Sequence, residues 1–180
     1  KPDDKTEYKE TVTVSNSTVV GEESSGGIFG SDNIYDVSDL TVKDSQIIGK
    51  DEVGGVGGDS HIDSIKNVTV DNCTIRGESR VGGLLGITKE SGQTKIKNCK
   101  IDAVITGDEI AGFIGTAQRT QITNCITTGR LDGNKVAGFV YEGENIEIEN
   151  SYCRNMLTGV EKTGLFAISL RSSDLNAFSL

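Results

Sequence analysis

A glycine-centred element of five residues returns six times along the chain and constrains its fold more than any other feature. The copies are Gly26-Gly27-Ile28-Phe29-Gly30, Gly54-Gly55-Val56-Gly57-Gly58, Gly82-Gly83-Leu84-Leu85-Gly86, Ala111-Gly112-Phe113-Ile114-Gly115, Ala137-Gly138-Phe139-Val140-Tyr141 and Thr163-Gly164-Leu165-Phe166-Ala167. The second position is glycine throughout: Gly27, Gly55, Gly83, Gly112, Gly138 and Gly164. A polar pair precedes each copy: Asn16-Ser17, Asp44-Ser45, Asn72-Cys73, Asn98-Cys99, Asn124-Cys125 and Asn150-Ser151. Successive Ser/Cys positions lie 28, 28, 26, 26 and 26 residues apart, and the step from there to the glycine element is 9 in the first three units and 12 in the last three. A period in this range marks a repeat architecture, in which one unit buries its apolar face only against the next.

Within each unit the apolar residues alternate: Val12/Val14, Leu40/Val42, Val68/Val70, Ile96, Ile122 and Ile146/Ile148. Period two is the period of a strand. After the Asn the parity slips by one, with Ser45/Ile47, Cys73/Ile75 and Cys99/Ile101 continuing the inward set, so the chain bends there. No unit carries a helical stripe. The expected fold is all-β, a single-stranded parallel β-helix of about six coils of 26–28 residues. Residues 12–167 form the solenoid, 1–11 a polar leader or tether, and 168–180 a further strand, a cap or the start of a neighbouring domain. The chain opens Lys1-Pro2-Asp3 without a Met, as a processed chain or a fragment of a longer one does.

Composition fits an ordered rod. Glycine supplies 23 of 180 residues and proline only one, which is neither collagen nor a Pro-rich linker. The Asn column (Asn16, Asp44, Asn72, Asn98, Asn124, Asn150) suits a bend, because Asn tolerates left-handed backbone and stacked amides can bond from coil to coil. The glycine column needs either a positive φ or a close backbone approach that excludes Cβ.

Val81-Gly82-Gly83-Leu84-Leu85-Gly86, preceded by Asn72-Cys73 and Gly77, resembles the GLUG motif. Similar units run from residue 12 to 167. The resemblance implies an exported bacterial cell-surface protein, since that repeat belongs to surface adhesins and to non-catalytic regions of IgA-specific metalloendopeptidases. It implies a host or bacterial surface glycan or protein as partner, an extracellular location and neighbouring domains, and it carries no site residue over. The departures are Gly57 in an apolar column, Ala111, Ala137 and Thr163 at the first glycine, and Tyr141 and Ala167 at the last.

The formal charge of −9 disfavours a nucleic-acid partner. No apolar run reaches the length of a membrane-spanning helix, so no membrane insertion is expected. Four cysteines, Cys73, Cys99, Cys125 and Cys153, leave three readings open: a ladder of free thiols, one disulfide between stacked coils, or a metal site. The ladder follows from Ser17, Ser45 and Ser151 standing where Cys73, Cys99 and Cys125 stand. Acidic residues recur before the glycine element, at Glu23, Asp51, Glu52, Glu78, Asp108 and Glu109. Stacked, they form either a calcium-binding ridge or a charge-paired edge with Lys50, Arg80, Lys135 and Lys162. Calcium is the only cofactor this pattern raises.

His61, the single histidine, falls in Asp59-Ser60-His61-Ile62-Asp63, read as a solvated loop because consecutive residues seldom assemble a triad. Thr13, Thr41 and Thr69 form an outward column expected to continue as Lys95, Gln121 and Glu147, and the sequons at Asn16, Asn67 and Asn72 are read as chance matches. Two functions compete. One is a non-catalytic module used for adhesion or as a rigid spacer. The other is a polysaccharide lyase or glycoside hydrolase on a β-helix scaffold, for which Asp59, Asp63 and Glu90 in the longest connections are the best carboxylates.

Overall fold

The computed structural model describes residues 6–8, 11–88, 92–171 and 174–176. It contains strands and no helix among the described residues, and the strands stack in parallel as a β-solenoid of about six turns. One sheet is built from Phe29–Ser38, Gly57–Lys66, Leu85–Thr88 with Thr94–Lys97, Ile114–Thr123, Val140–Glu149 and Ala167–Arg171 with Asp174–Asn176. The second sheet wraps the rest of each coil. It runs through Val12–Ser15, Leu40–Lys43, Thr69–Arg76, Lys100–Ala111, Ile126–Ala137 and Tyr152–Gly164, with shorter strands such as Asp51–Gly54 and Ser79–Gly82 beside them. Thr6–Tyr8, inside the segment expected to be a leader, also pairs with Phe29–Ser38. Backbone groups at a sheet edge accept a strand of polar side chains as readily as an apolar one, so polarity alone is a poor guide there.

Inward residues form columns one coil apart. Val37, Ile65, Ile96, Ile122 and Ile148 make one, and Val19, Ile47, Ile75, Ile105, Leu131 and Leu157 another. At the corner of the glycine element Ile28, Val56, Leu84, Phe113, Phe139 and Phe166 stack by backbone bonds, each amide donating to the carbonyl of the next coil. Leu165, expected in that column, is displaced outward to 48% exposure. A register shift between Gly133 and Lys135 lets the last coil accommodate an extra residue.

The second glycine position is held by close approach. Gly27, Gly55, Gly83 and Gly112 lack positive φ, and a Cβ on each would land on the carbonyl oxygen of the next coil's glycine, up to Gly138. Gly138 faces the Leu165 carbonyl in the same way. Gly164 belongs elsewhere, since it pairs with Ala137 rather than following Gly138. Leu165 occupies the sixth place in the column, where no described coil lies beyond to collide with it.

The Asn column divides in two. All six positions have φ between 48° and 57°, yet Asn16, Asp44 and Asn72 stack at one corner, while Asn98, Asn124 and Asn150 stack below Asp39 and Asn67 at another. Asn72 Nδ2 donates to Asp44 Oδ1 at 2.8 Å in the first ladder. In the second, Asn67 donates to Asp39 at 3.1 Å, Asn98 to Asn67 at 3.3 Å and Asn124 to Asn98 at 3.4 Å. The same local device serves both corners. The Ser or Cys after the left-handed residue donates to the carbonyl two residues back, as in Ser45 to Lys43, Cys73 to Asp71, Cys99 to Lys97 and Ser151 to Glu149.

The repeat phase therefore slips by one corner between the third and fourth coils. Thr13, Thr41 and Thr69 continue as Lys100, Ile126 and Tyr152, not as Lys95, Gln121 and Glu147. Cys73 stacks over Ser45 and beside Ala103, whereas Cys99 and Cys125 stack with Ser151. Cys153 sits in a third column next to Thr127.

Candidate functional site

The cysteines come first, because they are the most reactive side chains present. All four are free and buried. The hydrogen bond to Cys125, together with burial, pushes the Cys99 thiol well above its ordinary value, and burial raises Cys73 and Cys153. A thiol rather than a thiolate is favoured at Cys73, Cys99 and Cys153, which disfavours nucleophilic chemistry there, while the hydrogen bond with Cys99 holds the buried Cys125 thiol below its ordinary value.

His61 departs from the loop expectation. It lies within the ten-residue strand Gly57–Lys66, at 9% exposure, with its Nε2 3.1 Å from Asp63 Oδ1 and Gly92 packed over its ring. An uninterrupted ladder to Phe29–Ser38 holds this segment straight. Ser60 is fully buried and points to the opposite face from His61, so Ser60, His61 and Asp63 do not converge. Asp59 and Asp63 share the outer face four positions apart, which puts their Cα atoms about 13 Å from each other at strand rise. Paired glycosidase carboxylates work with their carboxyl groups about 5 to 9.5 Å apart, a separation that parallel side chains on these two positions exceed and that only side chains leaning toward each other approach. Glu90 lies outside the described residues.

Asp51, Glu52, Asp108 and Glu109 are engaged with neighbours of other types. Arg80 forks onto Asp51, with Nε to Oδ1 at 2.9 Å, and reaches Glu52 at 3.2 Å. Ser79 and Ser24 donate to Asp51 and Glu52, each at 2.7 Å. The Arg80 guanidinium holds the Asp51 carboxyl below the usual carboxylate range. Asp108 accepts from Asn134, and Glu109 Oε1 accepts from both Lys135 Nζ at 2.9 Å and Tyr141 Oη at 3.0 Å. Glu23 stacks against Asp51 in register, and the Glu78 amide bonds the Lys50 carbonyl. No cluster of three or more His, Cys, Asp or Glu side chains with metal-binding geometry occurs among the described residues.

Tyr141 also explains two departures from the glycine element. It packs with Ala111, Ala137 and Ile168 in a satellite cluster, so side chains fill the space that Gly58, Gly86 and Gly115 leave open for neighbouring backbone. Burial and the bond to Glu109 push its phenol up to about 12. A raised phenol pKa favours the neutral form in the folded state, so stability present below pH 10 falls as pH rises through about 12. The loss is at most about 2.7 kcal/mol, two units at 1.36 each. Urea titrations between pH 9 and pH 12 should show this slope, and Tyr141→Phe should flatten it; an equally steep variant would place the slope elsewhere.

One outward face gathers lysines that join no ion pair among the described residues. The slip of phase brings Lys66 directly beside Lys97 in register, and Lys95 beside Ser64 and Gln121. These residues with Asp36 and Thr123 line a shallow groove of about 320 Å³. A second cavity of about 380 Å³ opens between Val12, Ile28, Phe29 and Leu40, where the first described coil exposes its interior.

No protein-family model, curated protein or solved structure matches this chain. The functional reading therefore rests on the coils themselves. The lysine face escaped the repeat alignment, which set Lys95 against Thr69. Its signal was the recurring Ile-Lys-Asn of residues 65–67 and 96–98, continued as Ile122-Thr123-Asn124 and Ile148-Glu149-Asn150.

Proposed function

We propose that this chain is a non-catalytic repeat module of an exported bacterial cell-surface protein, serving in adhesion or as a rigid spacer that presents a binding surface. The observation that carries this reading is the stack of in-register coils, which turns single outward positions into continuous side-chain ladders along a stiff rod. Flat arrays of this kind bind extended partners, whereas catalysis on small substrates uses concave pockets with convergent polar groups. The GLUG resemblance supports the same reading. The wide separation of Asp59 and Asp63 weighs against the hydrolase alternative. A panel of polysaccharides and host glycans, scored in the same wells for protein retention and for new chain ends, tests it. Retention without new ends is expected of an adhesin, and saturable retention separates adhesin from spacer. New ends abolished by Asp59→Asn or Asp63→Asn would make the protein an enzyme.

A further inference from the structure

We propose that Lys66, Lys95 and Lys97 form an anion-binding subsite that takes the carboxylate or sulfate groups of an acidic polysaccharide; this rests on the adhesive reading and names its ligand class. Lys66 and Lys97 are register partners on neighbouring coils, and Lys95 stands two residues before Lys97 on the same strand. All three are exposed on one face. Strand geometry spaces their Cα atoms by about 4.8 Å across the coils and about 6.6 Å along the strand. Like charges directly opposite in a sheet oppose folding.

Some cations elsewhere are paired. Arg80 meets Asp51 and Glu52, Lys135 meets Glu109, Arg130 meets Asp132 and Lys100 lies 3.9 Å from Asp71. Others, Lys43, Lys50, Arg119, Arg154 and Lys162, join no ion pair among the described residues, and neither do Lys66, Lys95 and Lys97. What sets Lys66, Lys95 and Lys97 apart is that three gather on one face beside a groove. In a chain of charge −9, three ammonium groups so placed make a local positive potential that attracts an anion.

The surroundings select the ligand. Along the rod the two outward ladders read Asp36, Ser64, Lys95, Gln121, Glu147 and Ser38, Lys66, Lys97, Thr123, Glu149. The positive zone spans two coils and is bounded by Asp36 on one side and by Glu147 and Glu149 on the other. A nucleic-acid duplex, with a charge about every 1.7 Å of axis, would run from the lysines onto those carboxylates. A sugar chain crossing the rod along the strands, with one acidic group per residue, sets those groups on the lysines. Asp63, three residues before Lys66 on the same outer face, bounds the positive zone on that side. Ser64, Thr123 and Gln121 add hydroxyl and amide partners for sugar hydroxyls at a groove whose volume is near the lower limit, about 300 Å³, for small-molecule sites.

The test uses the full chain over immobilised polygalacturonate, dextran sulfate, neutral dextran and poly-aspartate at about 50 and 200 mM NaCl. Retention on polygalacturonate or dextran sulfate and not on dextran is expected, weakening with salt, and the better of the two acidic arms identifies carboxylate or sulfate. Lys66→Gln/Lys95→Gln/Lys97→Gln should weaken retention by about tenfold or more. Lys43→Gln/Lys50→Gln/Lys162→Gln removes the same charge elsewhere and should change it by less than about twofold. The site triple should melt no lower than the wild type, because it relieves the Lys66–Lys97 repulsion. If it melts lower, Lys95→Gln, whose coil neighbours Ser64 and Gln121 are neutral, carries the test with a loss of about threefold or more.

Absence of retention on both acidic polysaccharides, equal losses in the two triples, or stronger retention on poly-aspartate would each overturn the subsite. A neutral glycan retained equally by wild type and site triple would overturn it too while leaving the adhesive reading intact. New chain ends from an acidic polysaccharide would instead overturn the non-catalytic reading, and a lysine-dependent retention in the same wells would leave the subsite standing.

Discussion

Gly112→Val is expected to lower stability by about 3 kcal/mol or more, beyond the usual range of overpacking. The added Cβ would land on the Gly138 carbonyl oxygen and crowd the Thr127 hydroxyl, which donates to Gly112 O at 3.0 Å. Neither neighbour can withdraw. The Gly112 amide is bonded to Ala137 O at 3.0 Å and the Phe113 amide to Phe139 O at 2.9 Å, so the spacing of the two coils is set on both sides of the clash. In a rod whose units contact only their neighbours, damage in a middle coil separates the two halves. Urea unfolding followed by far-UV circular dichroism should show an earlier midpoint, or two transitions in place of one. Leu165→Val, in the same column at the last described coil, should change stability by less than about 0.5 kcal/mol. A Gly112→Val midpoint equal to that of the wild type would refute the close approach.

That column was legible because its cause is strict. A carbonyl lies where Cβ would be, no other residue substitutes, and so glycine recurs at Gly27, Gly55, Gly83, Gly112 and Gly138 whatever else drifts. The solenoid follows from that recurrence and from period-two apolar columns. The corner assignment was less legible, for a physical reason. A left-handed Asn followed by a Ser or Cys that caps the carbonyl two residues back is a self-contained bend, and it functions at either corner. Asn72-Cys73 and Asn98-Cys99 look alike and perform the same local bonding, yet occupy different edges of the rod. The change in spacing from 9 to 12 residues recorded the slip; reading Ile65-Lys66-Asn67 against Ile96-Lys97-Asn98 would have located it.

The candidate site was hidden by the same slip. Outward residues are not held by packing, so only correct register reveals which of them are neighbours, and one corner of error moved Lys97 away from Lys66. His61 was misplaced for a related reason. Asp59-Ser60-His61 has the polarity of a loop, but a strand in the middle of a parallel stack gains backbone bonds on both edges, and these outweigh the weak strand preference of its side chains.

Phe139→Ala should cost about 3 to 5 kcal/mol. Phe139 is fully buried between Phe113, stacked at a centroid distance of 4.7 Å and 21°, and Phe166, at 6.0 Å and 33°. Loss of the aromatic contacts contributes about 0.5 to 1.5 kcal/mol for each pair. The larger part is the void. In a helical core the backbone moves inward around a deletion, but here Phe139 donates to Phe166 O at 3.2 Å and accepts from Phe113 at 2.9 Å, so the ladders keep the coils apart and the cavity open. Phe139→Leu should cost much less, about 1.5 kcal/mol, because Leu84 already fills the same corner two coils earlier. Thermal and urea unfolding of the two variants measure the difference directly. Equal losses would mean that the corner collapses freely, and a corner that collapses cannot be the rigid element that keeps outward ladders such as Lys66 and Lys97 in register.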